Sequence, residues 1–159
     1  MPLAITAYNW LKACHVLASV LWVGGGGILV LLATMTLREN EPERLAKLAV
    51  QIATIGQRMF APLSVLVLAL GIGMIEQGSF GWTYHEFWVD FGLAIWAISA
   101  LTGTFFLGPE SARLGKLVLE RGANDPDVQA RITRILAVAR VDSGLLLLAV
   151  FDMAAKPFL

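Results

Sequence analysis

Four apolar runs, roughly residues 11–37, 50–75, 87–108 and 132–155, leave this chain few ways to fold. The hydrocarbon core of a bilayer is about 30 Å thick and takes about 20 apolar residues to cross as helix. Over such lengths a helix satisfies its own backbone donors and acceptors without water. The runs therefore predict an all-α transmembrane four-helix bundle, one domain over residues 1–159. Composition agrees: 57% of residues are hydrophobic and 15% charged, against about 45–50% and about 25% in soluble domains. The mean hydropathy is +0.71. The N-terminus has no basic leader segment or small-residue cleavage site, so the first run reads as a retained span.

The joints between runs carry their own signals. Asn40-Glu41-Pro42 and Asn124-Asp125-Pro126 each place proline in a first helical turn, with Asp125 as the expected N-cap of the fourth helix. Gly108-Pro109 is expected to bend the chain out of the third span. Glu110 to Arg121 then reads as a short amphipathic helix on the anionic inner leaflet, stopped by Gly122.

The basic residues orient the bundle. The first loop and its helix ends hold Arg38, Arg44, Lys47 and Arg58. The third loop and its flanks hold Arg113, Lys116, Arg121, Arg131, Arg134 and Arg140. Together these are ten of the twelve basic residues, and the second loop has none. The positive-inside rule then makes loops 1 and 3 cytoplasmic and puts both termini and loop 2 on the non-cytoplasmic side, in a bacterial inner membrane. Twelve basic residues balance twelve acidic ones, so no nucleic-acid partner is implied. The single Cys14 excludes an intrachain disulfide framework.

Two basic residues break the charge rule. Lys12 opens the first helix and Lys156 closes the fourth, both at the outward end, with Asp152 one turn before Lys156. Snorkelling to the headgroups accounts for the lysines. His15 lies one turn below Lys12, too deep to snorkel. Within a span an ionisable side chain is a functional candidate; its alternatives are a hydrogen bond to a neighbouring helix, ligation of heme or metal, and proton handling. Lys12, His15, Asp90, Asp152 and Lys156 are expected to share an outward-facing polar pocket. His85, in the aromatic loop before the third span, is the other histidine able to join His15 as a metal ligand. Arg58 and Asp142 fall toward the cytoplasm, where a structural ion pair is expected. The pattern is two polar layers with an apolar middle.

Gly24 to Gly27, with Gly71 and Gly73, read first as sites of close helix approach. The glycine face of the first helix also suits docking on a second copy or a larger membrane complex. Zinc-type Cys/His spacing, a phosphate-binding glycine loop and a Ser/His/Asp set are all lacking.

Trp10-Leu11-Lys12, His15 and Trp22-Val23-Gly24-Gly25, with the closing Met153-Ala154-Ala155-Lys156-Pro157-Phe158, resemble the two ends of a group of small four-span bacterial membrane proteins. The group includes HemJ-type protoporphyrinogen oxidases, the CopD copper-resistance membrane domain and their uncharacterised relatives. The resemblance implies heme b as cofactor, with copper as the alternative, and maps the first-helix histidine and lysine of the HemJ type onto His15 and Lys12. Lys156, oriented by Asp152, is then a second cation for a heme propionate. The expectation is a membrane protein that binds heme b or a metal ion in a redox or handling role. A copper or other cation transporter and a structural subunit are the alternatives.

Overall fold

The computed structural model describes residues 2–39, 41–77, 81 and 83–156, with side chains from Ala7 onward. The described residues form four long helices: α1 (Pro2–Glu39), α2 (Pro42–Glu76), α3 (Phe87–Arg121) and α4 (Pro126–Ala155). Three of them, over Ala7–Glu39, Pro42–Glu76 and Phe87–Arg121, are long and apolar enough to cross a membrane. Their apolar windows are only 11%, 11% and 22% buried by the rest of the chain. Valine, leucine, isoleucine and phenylalanine side chains therefore face outward, as a lipid-bathed bundle requires and a water-soluble one does not. Helix α4 is interrupted by Arg140, Asp142 and Asp152 and does not meet the same apolar standard.

Local chemistry sets the helix boundaries. Asp125 caps α4 by accepting from the backbone N–H groups of Asp127 and Val128, as its position before proline predicts. Pro42 opens α2. Gly122, at φ 84°, closes α3 in a conformation that suits a residue without Cβ.

The expectation at Gly108-Pro109 is overturned. Helix α3 continues through the proline to Arg121, so Glu110 to Arg121 is an extension of α3 and not a separate helix. The reason is a π-helical turn over Gly103–Leu107, in which the Gly108 N–H bonds to the Gly103 carbonyl one residue further back than in an α-helix. That widened turn shifts the hydrogen-bond register just ahead of Pro109, whose ring would otherwise meet the preceding carbonyl. Helix α2 does the same: a π turn over Gly56–Phe60, closed by Ala61 N–H to Gly56 carbonyl, precedes Pro62. Both turns share the spelling Gly, four residues, a small residue, then Pro.

Two cores result. At about 1.5 Å per residue, the 35-residue α2 and α3 reach about 50 Å and outrun a hydrocarbon core of about 30 Å. Their inner extensions pack on each other and on the start of α4 through Leu45, Ala46, Ala49, Leu114, Val118, Val128 and Ile132. Gly115 allows this crossing; a Cβ there would lie 3.1 Å from the Ala46 carbonyl. Glu110 locks the same end, bonding Arg113 on α3 at 2.7 Å and Arg131 on α4. The second core, Ala18, Trp22, Val67, Ile95 and Leu146, lies at the level of the apolar runs.

Candidate functional site

A cavity of about 210 Å³ lies between the helices, on the side of the second core that carries the π turns. Both π turns border it, through Gly56, Gln57 and Phe60 on α2 and Gly103, Thr104 and Leu107 on α3. Trp22 and Gly26 on α1 and Ala139, Asp142 and Ser143 on α4 supply other walls. π turns leave carbonyls out of the regular ladder and occur often at functional sites. Here two of them meet across one space.

Among the described residues, Asp142 is the one charged residue lining this cavity. Its Oδ2 accepts a hydrogen bond from Ser99 Oγ at 3.0 Å. Its Oδ1 is buried with no hydrogen-bond partner. Ser64, Ser99, Thr104, Ser111 and Ser143 add hydroxyls, and Gln57 a carboxamide, to a lining that is otherwise apolar and aromatic. The position is held firmly, since Trp96 Nε1 on α3 donates to the Ser64 carbonyl on α2 at 2.9 Å.

The expected Arg58–Asp142 ion pair does not form among the described residues. Arg58 is exposed on the outside of the α2 π turn, and Asp142 turns inward to Ser99. Arg140, two residues before Asp142, is exposed on another face of α4. The carboxylate therefore has a hydroxyl and a cavity where a guanidinium was expected.

At the other end, the sequence-predicted residues divide. His15 is buried and bonds to a neighbouring helix: its Nδ1 lies 2.9 Å from the Val67 carbonyl on α2. A carbonyl only accepts, so Nδ1 carries the proton and Nε2 keeps the lone pair of the neutral ring. Gly71 makes room for this ring, a Cβ there lying 3.4 Å from His15 Cε1. Lys12 is exposed, its Nζ 5.8 Å from the Tyr8 ring centre. Lys156 ends α4 in a left-handed conformation at φ 42°, and its Nζ sits 4.7 Å over Trp88. Burial and then the nearby Lys12 charge lower its basicity, so these two cations share one end of the bundle. Asp152 is buried, with Oδ2 lacking a partner. Asp90 and His85 are both exposed. No described group of three or more His, Cys, Asp or Glu side chains has the geometry to hold a metal ion. Of the five residues expected to share an outer pocket, His15 and Asp152 are buried and Lys12 and Asp90 exposed, while the cavity around Asp142 lies on the far side of the second core.

The family model for predicted integral membrane proteins (DUF2269) matches residues 9–157. The chain belongs to this family. No curated protein and no solved structure matches it significantly. Membership covers all four helices and agrees with the lipid-facing surface.

The glycine run behaves differently from expectation in one respect. Only Gly25 makes a close approach, its Cβ position lying 3.0 Å from the Phe60 ring of the α2 π turn. Gly24, Gly26 and Gly27 have nothing within 4 Å of an added Cβ, and Gly26 instead opens onto the cavity. The signal that sequence reading missed is the pair of Gly-to-Pro spellings at 56–62 and 103–109.

Proposed function

We propose that all four helices cross a bacterial inner membrane, with both termini and loop 77–86 outward, and that the bundle binds a small ligand in the cavity beside Asp142. The observation that carries this reading is the buried Oδ1 of Asp142, without a partner at the wall of a 210 Å³ space. An unpaired buried carboxylate costs several kcal/mol unless something completes it. Inside a membrane, such groups mark ligand and ion paths. The charges that spoil the hydropathy of α4 also fit the reading, since Asp142 faces the bundle interior. The lining offers no histidine, cysteine or methionine and no second acid, so copper is poorly matched to this space.

Native mass spectrometry on protein extracted in mild detergent tests the cavity. A low-mass adduct is expected on the wild type and absent from Gly26→Leu, which fills the space; an adduct that persists in Gly26→Leu overturns the assignment. For orientation, single cysteines placed in a Cys14→Ser background at Thr83 and Asn124 should label with a membrane-impermeant maleimide only at 83 from the outer side.

A second reading places heme b or copper on His15. It is favoured by the Nδ1–Val67 bond, which fixes the tautomer that leaves Nε2 free to coordinate. The Lys12 and Lys156 cations at the same end suit heme propionates. The fit extends to one axial ligand, because His85 is exposed in its loop. An absorption spectrum decides it: a Soret band lost in His15→Ala supports this reading, and a colourless, metal-free protein from heme-replete cells removes it. Docking through the open glycines is a third use of α1, supported by the empty space over Gly24 and Gly27.

A further inference from the structure

A second space, of about 260 Å³, lies between α3 and α4 and is lined by Ile98, Thr102, Val138, Val141, Leu145 and again Asp142. Ile98 and Val141 are exposed on the lipid-facing surface. Asp142 therefore lines both the central cavity and a groove that opens sideways between α3 and α4. We propose that this groove is a lateral port through which a small lipid-soluble amine reaches Asp142, to be held in the central cavity as an ammonium.

This inference rests on the cavity being a ligand site and names the ligand's chemical class. Charge comes first. The cavity has one acid and no lining base, so its electrostatic complement is a single positive charge. A bare metal ion needs several oxygen, nitrogen or sulfur ligands to replace its water. The described lining has one carboxylate, the Gln57 carboxamide and five hydroxyls spread among apolar walls. An organic ammonium asks less: one salt bridge, with its carbon surface against Leu29, Val30 and the rings of Trp22 and Phe60, whose faces also attract cations. Size comes next. At about 30 Å³ per water, the cavity holds the volume of about seven waters, which limits the ligand to a compact amine.

The route follows from solvation. An ammonium is poorly soluble in hydrocarbon, whereas the neutral amine crosses it readily. The groove lining is apolar apart from Thr102 and Asp142 itself, as a path for a neutral base requires. At the acid, the proton on Oδ1 of the protonated carboxyl passes to the amine nitrogen, whose lone pair forms the new N–H bond. An ammonium–carboxylate pair remains, with no net change in charge, and Ser99 holds Oδ2 throughout.

The test uses the full chain in lipid nanodiscs, with empty nanodiscs as the partition control. The probes are N,N-dimethylbenzylamine and isobutylbenzene, its uncharged isostere. The amine should bind the wild type above the control, and Asp142→Asn should weaken it about 10- to 100-fold, the range for a lost charged hydrogen bond. Ser99→Ala, which leaves the acid in place, should weaken it less and guards against a misfolded Asp142 variant. Ala137 is also in the groove wall, and Ala137→Phe, which narrows the groove, should slow association while leaving equilibrium binding nearly unchanged. If Asp142→Asn binds the amine as tightly as the wild type does, the ammonium assignment fails while the cavity can still be a ligand site. If amine and isostere both bind no better than to empty nanodiscs, the ligand-site reading fails with it. Unchanged association in Ala137→Phe removes the lateral port alone.

Discussion

His15 and Asp142 each put a titratable side chain into the interior of the bundle, one near each end of the apolar core formed by Ala18, Trp22, Val67, Ile95 and Leu146. The imidazole is packed against Gly71 and donates to Val67. The carboxylate bonds Ser99 through one oxygen and has the other buried without a partner, on a residue that lines the cavity. A group that is buried, bonded and tightly surrounded contributes to helix registry, as the α1–α2 contact at His15 does. A group bonded on one side and empty on the other carries a cost that a ligand can offset. Depth and polarity alone therefore do not separate a structural residue from a binding one; the neighbouring volume does.

The glycines beside the two groups give the largest test of this contrast. Leucine at Gly71 must displace the His15 ring, and overpacking of this kind costs about 1–3 kcal/mol. At Gly26 an added Cβ meets no atom within 4 Å, the rest of a leucine extends into the cavity, and a helix glycine is removed, so the change should be neutral or stabilising by up to about 1 kcal/mol. Thermal unfolding in one detergent compares them directly. Equal destabilisation at both positions would mean that the space beside Gly26 is not open in the folded protein.

Substituting the polar groups themselves should give smaller effects of opposite sign. His15→Ala leaves a void and removes the donor to Val67, and should lower stability by about 1–2 kcal/mol. Asp142→Asn keeps the shape and the Ser99 contact while removing a charge-bearing group from the interior, and should leave stability unchanged or raise it. Loss of stability in both variants would class Asp142 with His15 as a structural group.

How much of this was legible follows the range of the interactions. Pro42, Asp125 and Gly122 act within one helical turn, and each sets the boundary that its residue type predicts. The burial of His15 was readable from its depth in an apolar run. The partner of Asp142 was not: Arg58 has the matching charge, but the rotation of α4 against α3, set by side-chain packing, turns the acid to Ser99 instead. Pro109 misled for a related reason. Proline ordinarily ends a helix, and only the paired π turn, visible once α2 and α3 are compared, lets the chain run on.

The outer end offers a finer probe of charge crowding. Lys156 loses basicity first through burial and then through Lys12, so its ammonium gives up a proton more readily in the folded chain than in the unfolded one. The folded state then binds fewer protons, and this group makes stability rise with pH between the lowered value and the ordinary lysine range of about 10.4. Lys12→Gln should move Lys156 back toward ordinary basicity, read as slower labelling by an amine-reactive reagent at fixed pH. An unchanged rate would mean that burial alone sets it.

The smallest effect lies in the outward loop. Tyr84 donates its hydroxyl to the carboxylate of Glu76 at the end of α2, and this hydrogen bond, more than anything else, raises the pH at which the phenol ionises. Here the folded state holds its proton longer than the unfolded one. The contribution is complete below the ordinary tyrosine range near about 10 and fades as pH rises through the raised value, the opposite slope to Lys156. The group is exposed, so the consequence for global stability is slight and the useful reading is spectroscopic. Ultraviolet titration should show one of the two tyrosines ionising late, and Glu76→Gln should bring it earlier. If Glu76→Gln leaves the titration where it was, the loop between α2 and α3 is not tied to α2 through this contact.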